Sequence, residues 1–418
     1  MAMMKMKLLT ILFFIALLGL AKAQDCGCTD PLATNYDSTA VTNDGSCLYP
    51  TSSINPNILG QLPSTLDGTS SLIYWNGNYW SCNDHTKIQL YRIDTLTGAI
   101  TDTLLVSETA PQDMEEIAQD EDYLYFGDFG NNSNTRTDLH ILRVGKWELL
   151  NRTPVIDTIF FAYPDQVDFA ASSMQTDFDC EAFIVGNEKI YLFTKQWGKQ
   201  GTTCYELPKL PGTYIAEKLD SCNVQGLITG AAFYESEHLV VLCGYSTLLQ
   251  PFIYLLYDYP ENHFFCGNKR KININLFGNQ IEAIAGATPV DFYMTNEKFT
   301  IGNTSIPASL HHANLGNYLS NYLFGTPPTS IENYDFPPSD GNIKVFPNPA
   351  HEKICITDPY KSIISVALYS LNGRKVYSSS TEYADYHYIN IDQLNAGVYV
   401  IIMKLKDGRY REERIVVK

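Results

Sequence analysis

The chain has 418 residues, of which 45% are hydrophobic and 12% aromatic, a composition typical of folded proteins rather than disordered ones. This length allows about two to three domains. The formal net charge is −17. Such acidity argues against binding to nucleic acid or to an anionic membrane surface, because proteins bind both through basic surface patches.

Residues 1–23 are predicted to be a secretory signal peptide. Lys5 and Lys7 precede the apolar run from Leu8 to Leu20, and Ala21-Lys22-Ala23 fits a small-x-small cleavage site. The run is shorter than the roughly 20 residues that a membrane-spanning helix needs. We therefore expect cleavage after Ala23, no transmembrane segment in the mature chain, and an environment that permits disulfides.

Residues 24–50 form a predicted N-terminal module bounded by cysteines. The stretch GCTDPLATNYDSTAVTNDGSC (27–47) resembles a short module common in secreted proteins of the Bacteroidetes, through GCTDP, NY and DGSC. Cys28 and Cys47 flank a polar loop and are expected to pair. The module is either a calcium-binding loop or a disulfide-stapled polar tail. The possible oxygen ligands are Asp30, Asn35, Asp37, Asn43 and Asp44.

The remaining cysteines do not form the paired CxxC arrangement of a zinc site. Cys204 and Cys222 flank a hairpin-like segment and are a second candidate pair. Cys355 stands alone near the C-terminus and is expected to be a buried thiol.

Residues 55–325 contain a weak internal repeat of five units. Each unit opens with a polar residue placed two before an apolar one, and successive openings are 45, 66, 48 and 53 residues apart. We call the five polar residues the axial positions. They are Ser70, Glu115, Glu181, Thr229 and Glu282.

Each opening leads into runs rich in β-branched and aromatic residues, and four short strands fit in most units. Four strands in a repeat of about 45–65 residues indicate a β-propeller blade. The sequence thus predicts an all-β protein: a five-bladed β-propeller followed by a small Ig-like β-sandwich. Residues 298–325 hold either the outer strands of the fifth blade or a sixth blade.

The axial positions are predicted to bind calcium. The first strand of each propeller blade lines the central axis, so the three glutamates would converge and repel one another unless a cation is present. Calcium takes six to eight oxygen ligands, whereas zinc prefers the His and Cys residues that these positions lack. The alternative is that the glutamates are simply hydrated in a wet channel.

The order Ser, Glu, Glu, Thr, Glu also resembles the axial series of the calcium-activated nucleotidases, which are secreted five-bladed apyrases. The resemblance covers the repeat pattern alone, and Thr229 keeps the hydroxyl of the serine that it replaces. It implies an axial calcium ion. The arginine-rich rim that would grip phosphates is not evident, so the resemblance supports the metal more than the nucleotidase activity.

A second landmark follows each opening by about 13–16 residues, where the second strand is expected to meet a loop. Polar side chains at these places are predicted to surround the channel mouth and bind a ligand. The candidates are Asn83, Asp84, Asp128, Lys195, Tyr245, Asn296 and Glu297. The GDFGNN segment that contains Asp128 is equally typical of a tight turn.

Residues 326–341 are a predicted linker rich in Pro, Gly and Ser, and the charge balance changes after it. Residues 342–418 hold eleven basic and eight acidic residues, although the whole chain is strongly acidic. Alternating apolar residues and the turn pairs Asn372-Gly373 and Asp407-Gly408 predict a small β-sandwich.

This C-terminal domain contains IKVFPNPA (343–350), VALYSLNGRKVY (366–377) and LNAGVYVIIMKLKDGRYREERIVVK (394–418). These motifs resemble the C-terminal sorting domain of the type IX secretion system. The resemblance implies interaction with the type IX machinery, passage through the periplasm and outer membrane, and an extracellular or cell-surface location.

Two functions remain open from the sequence, and it assigns no catalytic residue. The favoured one is a non-catalytic propeller that binds an unknown extracellular ligand, a glycan or a protein, with calcium as a structural ion. The alternative is a calcium-dependent hydrolase of a phosphorylated small molecule, with Asp128 or Glu297 as base. The sequence contains neither a GxSxG nor an HExxH motif.

Overall fold

A computed structural model describes residues 26–418 except 85, 173, 277, 302–303, 325–342, 359–362, 371–373, 381–385 and 407–409. The expected signal peptide and linker lie outside the described residues. The described residues form 33 strands, two α-helices and three short 3-10 helices, so the all-β expectation is confirmed. The 3-10 helices are Ser64–Leu66, Glu235–Glu237 and Phe264–Cys266.

The N-terminal segment contains four short strands. They are β1 (Cys26–Gly27), β2 (Thr42–Asn43), β3 (Ser52–Ile54) and β4 (Asn57–Gln61). Strands β1 and β2 pair in parallel. The expected disulfide between Cys28 and Cys47 is present, with a sulfur–sulfur distance of 2.03 Å.

Five sheets of four or five strands follow. The first sheet has β5 (Thr69–Trp75), β6 (Asn78–Asn83), β7 (Ile88–Ile93) and β8 (Ile100–Ser107). The second has β9 (Met114–Gln119), β10 (Tyr123–Asp128), β11 (His140–Gly145) and β12 (Ile156–Ala162), with helix α1 (Lys146–Leu150) after β11. The third has β13 (Asp179–Val185), β14 (Lys189–Lys195) and β15 (Thr202–Pro208). It is completed, after β16 (Gly212–Ile215), by β17 (Glu217–Cys222).

The fourth sheet has β18 (Leu227–Tyr234), β19 (Leu239–Tyr245), β20 (Pro251–Tyr257) and β21 (Asn268–Ile274). The fifth has β22 (Ile281–Thr288) and β23 (Asp291–Asn296). After the hairpin β24 (Phe299–Ile301) and β25 (Thr304–Ile306), it continues with β26 (Ser309–Asn314). Helix α2 spans Gly316–Phe324.

The outermost strand of the fifth sheet is β4, which pairs antiparallel with β26. The sequence analysis left residues 298–325 as either the outer strands of the fifth blade or a sixth blade, and it did not anticipate that β4 supplies the fourth strand of this sheet. The described residues of 298–324 supply one strand of the fifth sheet, a hairpin and a helix, and they form no further four-stranded sheet.

The five first strands are arranged in a closed order. Strand β5 contacts β9, β9 contacts β13, β13 contacts β18, β18 contacts β22, and β22 contacts β5. Apolar side chains fill the space between each sheet and the next, including between the fifth and the first. Strands covered on both faces show uninterrupted burial, as in β19 and β20.

Two sheets carry an additional parallel strand at the outer edge. Strand β16 pairs with β12 of the second sheet, and β3 pairs with β21 of the fourth. Each of these strands continues directly into the outermost strand of the next sheet, β17 or β4. Neighbouring sheets are therefore joined at their outer edges as well as at their first strands.

The N-terminal module packs against the fourth sheet. One carboxylate oxygen of Asp30 accepts hydrogen bonds from the hydroxyls of Tyr49 at 2.8 Å and Tyr257 at 2.6 Å. Asn43 donates from its amide nitrogen to a carboxylate oxygen of Asp258 at 2.8 Å. The module is thus fixed to the sheet rather than being a loose tail, and protein contacts already use several of its expected calcium ligands.

The C-terminal residues form two sheets around one apolar core. One contains β27 (Lys344–Phe346), β28 (Lys353–Thr357) and β31 (Tyr386–Asn390). The other contains β29 (Ile363–Ser370), β30 (Lys375–Ser380), β32 (Gly397–Leu405) and β33 (Tyr410–Val417). Cys355 is a buried thiol, as expected.

Cys204 and Cys222 are not bonded to each other, contrary to the second candidate pairing. Strands β15 and β17 do pair, but Cys204 lies opposite Asp220 and Cys222 lies opposite Thr202. The two thiols are therefore offset along the strands. None of the helices within the described ranges is long and apolar enough to cross a membrane.

Candidate axial site

Each axial position lies at a β-bulge in the first strand of its sheet. Pairing with the second strand skips one residue in all five sheets. The skipped residues are Ser70, Glu115, Glu181, Thr229 and Glu282. A bulge leaves its extra residue outside the ladder and redirects the side chain. The five sheets thus repeat the same irregularity at the positions that repeat in the sequence.

Among the axial glutamates, Glu181 lies close enough to interact electrostatically with both Glu115 and Glu282. Burial raises the pKa of Glu115 and of Glu181 well above the usual range, and the charge of Glu181 raises that of Glu115 further. Burial likewise raises the pKa of Glu282 to about 8. The raised pKa values show that the surroundings of these carboxyl groups disfavour their ionised form.

The two axial hydroxyls differ in their contacts. The hydroxyl of Ser70 is buried and has no hydrogen-bond partner among the described residues. The hydroxyl of Thr229 donates to the carbonyl oxygen of Ile281 at 2.6 Å. One hydroxyl is therefore an open acceptor, while the other connects two neighbouring first strands.

Lys195 provides a positive charge inside this cluster. Its ammonium lies 2.7 Å from both carboxylate oxygens of Glu181, and its side chain is only 5% exposed. It also lies 4.7 Å from the ring centre of Trp197 and 5.3 Å from that of Tyr245. Burial alone would lower the pKa of Lys195, but Glu181 and the neighbouring acidic groups raise it well above its usual range.

Two aspartates join the cluster that sequence reasoning did not select. Asp113 and Asp179 both influence the pKa of Glu115. Asp179 accepts hydrogen bonds from the backbone N–H of Asn131 at 2.6 Å and from the indole of Trp197 at 2.9 Å. Each aspartate precedes an axial glutamate by two residues, so a shared Asp-x-Glu pattern was the available signal.

Gly130 makes room for the acidic groups of the second sheet. A Cβ atom at this position would lie 2.3 Å from a carboxylate oxygen of Asp113 and 2.3 Å from one of Glu115. Any other residue would therefore displace both carboxylates.

Glu116 is a further buried acid that the sequence analysis missed. Its side chain is fully buried, and it accepts a hydrogen bond from the backbone N–H of Ala231 at 2.9 Å. Ala231 belongs to β18 of the fourth sheet, whereas Glu116 belongs to β9 of the second. The side chain therefore connects two sheets that are not neighbours in the ring.

The rim candidates fall into two registers. Asn83, Asp128 and Asn296 each pair with the residue just before an axial position. Lys195 and Tyr245 end their strands one residue further along. The residues equivalent to Lys195 and Tyr245 in the other three sheets are Asp84, Phe129 and Glu297. At this position the second sheet therefore has a buried phenylalanine, where the sequence suggested Asp128.

Asp128 is held in a structural network. Its carboxylate lies 2.9 Å from a guanidinium nitrogen of Arg136 and accepts the backbone N–H groups of Gln112 and Asp113 at 2.9 Å each. The nearest imidazole, that of His140, is 3.5 Å away. Because these donors occupy both oxygens, Asp128 does not suit the role of general base suggested by the sequence.

The two asparagines are also engaged in local contacts. The amide nitrogen of Asn83 donates to the carbonyl of Thr65, while its amide oxygen has no partner among the described residues. Asn296 donates to the carbonyls of Glu297 and Pro307 and contacts His311 at 2.7 Å.

Residues 344–418 match the family described as the secretion system C-terminal sorting domain. This part of the chain is a type IX secretion sorting domain. The sorting domain implies export by the type IX system and an extracellular or cell-surface location. A search of curated proteins finds no match to the chain.

Three solved structures are similar to parts of the chain. Myxococcus xanthus glutaminyl cyclase is 10% identical, with 63% of this chain and all of that chain covered and a TM-score of 0.36. The extracellular domain of a one-component system from B. thetaiotaomicron is 13% identical, with 87% and 59% covered and a TM-score of 0.30. The computationally designed Ika8 protein is 10% identical, with 86% and 100% covered and a TM-score of 0.28. At these values the likenesses bear on neither activity nor ligand.

Proposed function

We propose that the five sheets are the blades of a five-bladed β-propeller, followed by an Ig-like sorting domain, and that the exported propeller binds an extracellular ligand over an axial calcium ion. The observation that carries this proposal is the bulge shared by all five first strands, which selects the axial positions. Closed contacts among the first strands support the propeller.

The residues at the axis suit a hard divalent cation. Glu115 and Glu282 accept no hydrogen bond from a protein group among the described residues, and the hydroxyl of Ser70 is an open buried acceptor. Oxygen donors of this kind, with an excess of negative charge, are those that calcium prefers. Ser70, Glu115 and Glu282 would hold the ion, and its charge would offset the repulsion between the carboxylates.

Glu181 is engaged differently, because Lys195 contacts both of its oxygens. Among the described residues, no three His, Cys, Asp or Glu side chains form a preassembled metal site. Charge and open acceptor oxygens, rather than a preformed coordination shell, therefore support the calcium proposal.

Binding is favoured over hydrolysis by the contacts of Asp128. The hydrolase alternative offered Asp128 or Glu297 as base, and Asp128 is fully engaged by Arg136 and two backbone N–H groups. Near the axial site, Trp197 is partly exposed, which suits contact with a sugar or a protein side chain.

Calcium titration of the purified, exported chain tests the proposal. Calcium that binds the folded state stabilises it by about 2.7 kcal/mol at a hundredfold excess over Kd, so chelation should lower the melting temperature and added calcium should restore it. Glu282→Gln should shrink this shift, whereas the exposed control Glu188→Gln should leave it unchanged.

Equal melting of the wild type with chelator and with millimolar calcium would end the cation proposal. We expect no calcium-dependent release of phosphate from nucleoside di- or triphosphates. Turnover that disappears in Glu282→Gln would instead favour the hydrolase.

A further inference from the structure

The axial site contains its own tethered cation, the ammonium of Lys195. It lies 2.7 Å from each carboxylate oxygen of Glu181 in a side chain that is 5% exposed. The rings of Trp197 and Tyr245 lie beside it at 4.7 and 5.3 Å. These contacts hold the ammonium among the axial carboxylates rather than in solvent.

The register of the sheets shows that this lysine is exceptional. The corresponding residues in the other four sheets are Asp84, Phe129, Tyr245 and Glu297. None of these four is basic, so the third sheet alone has a positive charge at the position that Lys195 occupies. That sheet also carries Glu181, the axial carboxylate to which the charge is bound.

We infer that Lys195 is a specificity-determining residue that occupies Glu181 and limits the axial site to a single divalent cation held by Glu115 and Glu282. This inference rests on the proposed cation site. A fixed ammonium neutralises one carboxylate and repels any second positive charge nearby, because buried charges are screened only weakly. The lysine therefore weakens calcium binding and withholds Glu181 from it.

Substitution of Lys195 should consequently tighten calcium binding, which is the opposite of what loss of a structural contact would do. Lys195→Met keeps much of the side-chain volume and frees both oxygens of Glu181. We expect its calcium affinity to rise by at least about tenfold, from the removal of one close positive charge. Glu181→Gln should instead lower the calcium affinity, since it removes a negative charge and leaves the ammonium to neutralise Glu282.

The control is Lys271→Met, which makes the same change of charge on the outer strand β21. Lys271 lies 3.9 Å from the ring centre of Phe252 and donates to the carbonyls of Val224 and Gln225. It takes no part in the axial cluster, and calcium affinity should stay within about twofold of the wild type because the charge is distant from the axis.

The experiment is calorimetric titration of the exported chain with calcium chloride, after circular dichroism shows that each variant is folded. Tighter binding by Lys195→Met together with weaker binding by Glu181→Gln supports the inference, whereas binding that appears only in Lys195→Met overturns it, because the wild-type site would then hold no cation. Equal or weaker binding by folded Lys195→Met, when the wild type binds, overturns it and leaves the cation site intact. Failure of all variants to bind calcium overturns the cation site itself.

Discussion

Replacement of Glu116 should destabilise the five-sheet region strongly, although the residue touches neither solvent nor a rim position. Its carboxylate accepts the backbone N–H groups of Ile117 and Ala231 at 2.9 Å each. Glu116→Ala leaves the Ala231 N–H buried without a partner, which costs about 1–3 kcal/mol. With the cavity that remains, we expect a total loss of about 2–5 kcal/mol.

Glu116→Gln keeps nearly the same volume but only one acceptor oxygen, so one of the two backbone N–H groups retains its partner and the other loses it. Burial raises the pKa of Glu116 well above its usual range, so a neutral amide resembles the native group. We therefore expect this variant to lose less than the alanine variant, about 1–2 kcal/mol, because one hydrogen bond is kept and no cavity forms. The exposed Glu121→Ala, in the turn that follows the same strand, should change stability by less than about 0.5 kcal/mol.

Urea unfolding followed by tryptophan fluorescence is a suitable assay. All four tryptophans, Trp75, Trp80, Trp147 and Trp197, lie in the five-sheet region, so the signal does not report on the sorting domain. A loss below about 1 kcal/mol in Glu116→Ala would refute the proposed connection between β9 and β18. So would an equal loss in the alanine and glutamine variants.

Three further predictions concern other parts of the chain. Burial lowers the pKa of His311 to about 4, so the unfolded chain binds the extra proton first. Stability from this group is lost as pH falls from about 6.5 to 4, at up to 1.4 kcal/mol per pH unit. The difference between wild type and His311→Gln in urea unfolding should show this slope. Asp30→Ala removes the acceptor shared by Tyr49 and Tyr257, should cost about 1–3 kcal/mol, and should make the N-terminal module sensitive to limited proteolysis. Deletion of 344–418 should abolish recovery of the protein outside the cell, as measured by immunoblotting of cell and medium fractions.

Each of these has a contrary result. A pH-independent difference between wild type and His311→Gln would show that this imidazole titrates normally. Unchanged protease resistance in Asp30→Ala would mean that other contacts, such as Asn43 with Asp258, are sufficient to hold the module. Normal extracellular recovery of the shortened chain would contradict the role of the sorting domain.

The sequence selected the five residues that lie at the bulges because the same local pattern recurs in five units. It could not locate Glu116, since strict alternation along a strand places adjacent residues on opposite faces. The bulge at Glu115 breaks that alternation, so that Glu116 is fully buried while the adjacent Glu115 is half-buried. Asp128 was selected as a rim residue because it is polar, but it pairs with Met114 and so lies one residue before the position of Phe129.

The long-range pairing of β4 with β26 likewise could not be predicted from the local sequence pattern. Strand β4 is five residues long, and nothing in its composition indicates a partner some 250 residues away. The contact between Lys195 and Glu181 was missed for a related reason, because the two residues had been assigned to separate features, a rim and an axis. In the structure, the second strand brings them within 2.7 Å.

The pairing of β4 with β26 has a consequence for the order in which the chain folds. Strand β4 is synthesised before the other strands of the fifth sheet, and its partner β26 ends only at Asn314. Contacts of such high sequence separation form slowly, because a long loop must close first. The fifth sheet therefore cannot be completed before residue 314 is available for pairing, and its edge remains open to aggregation until then.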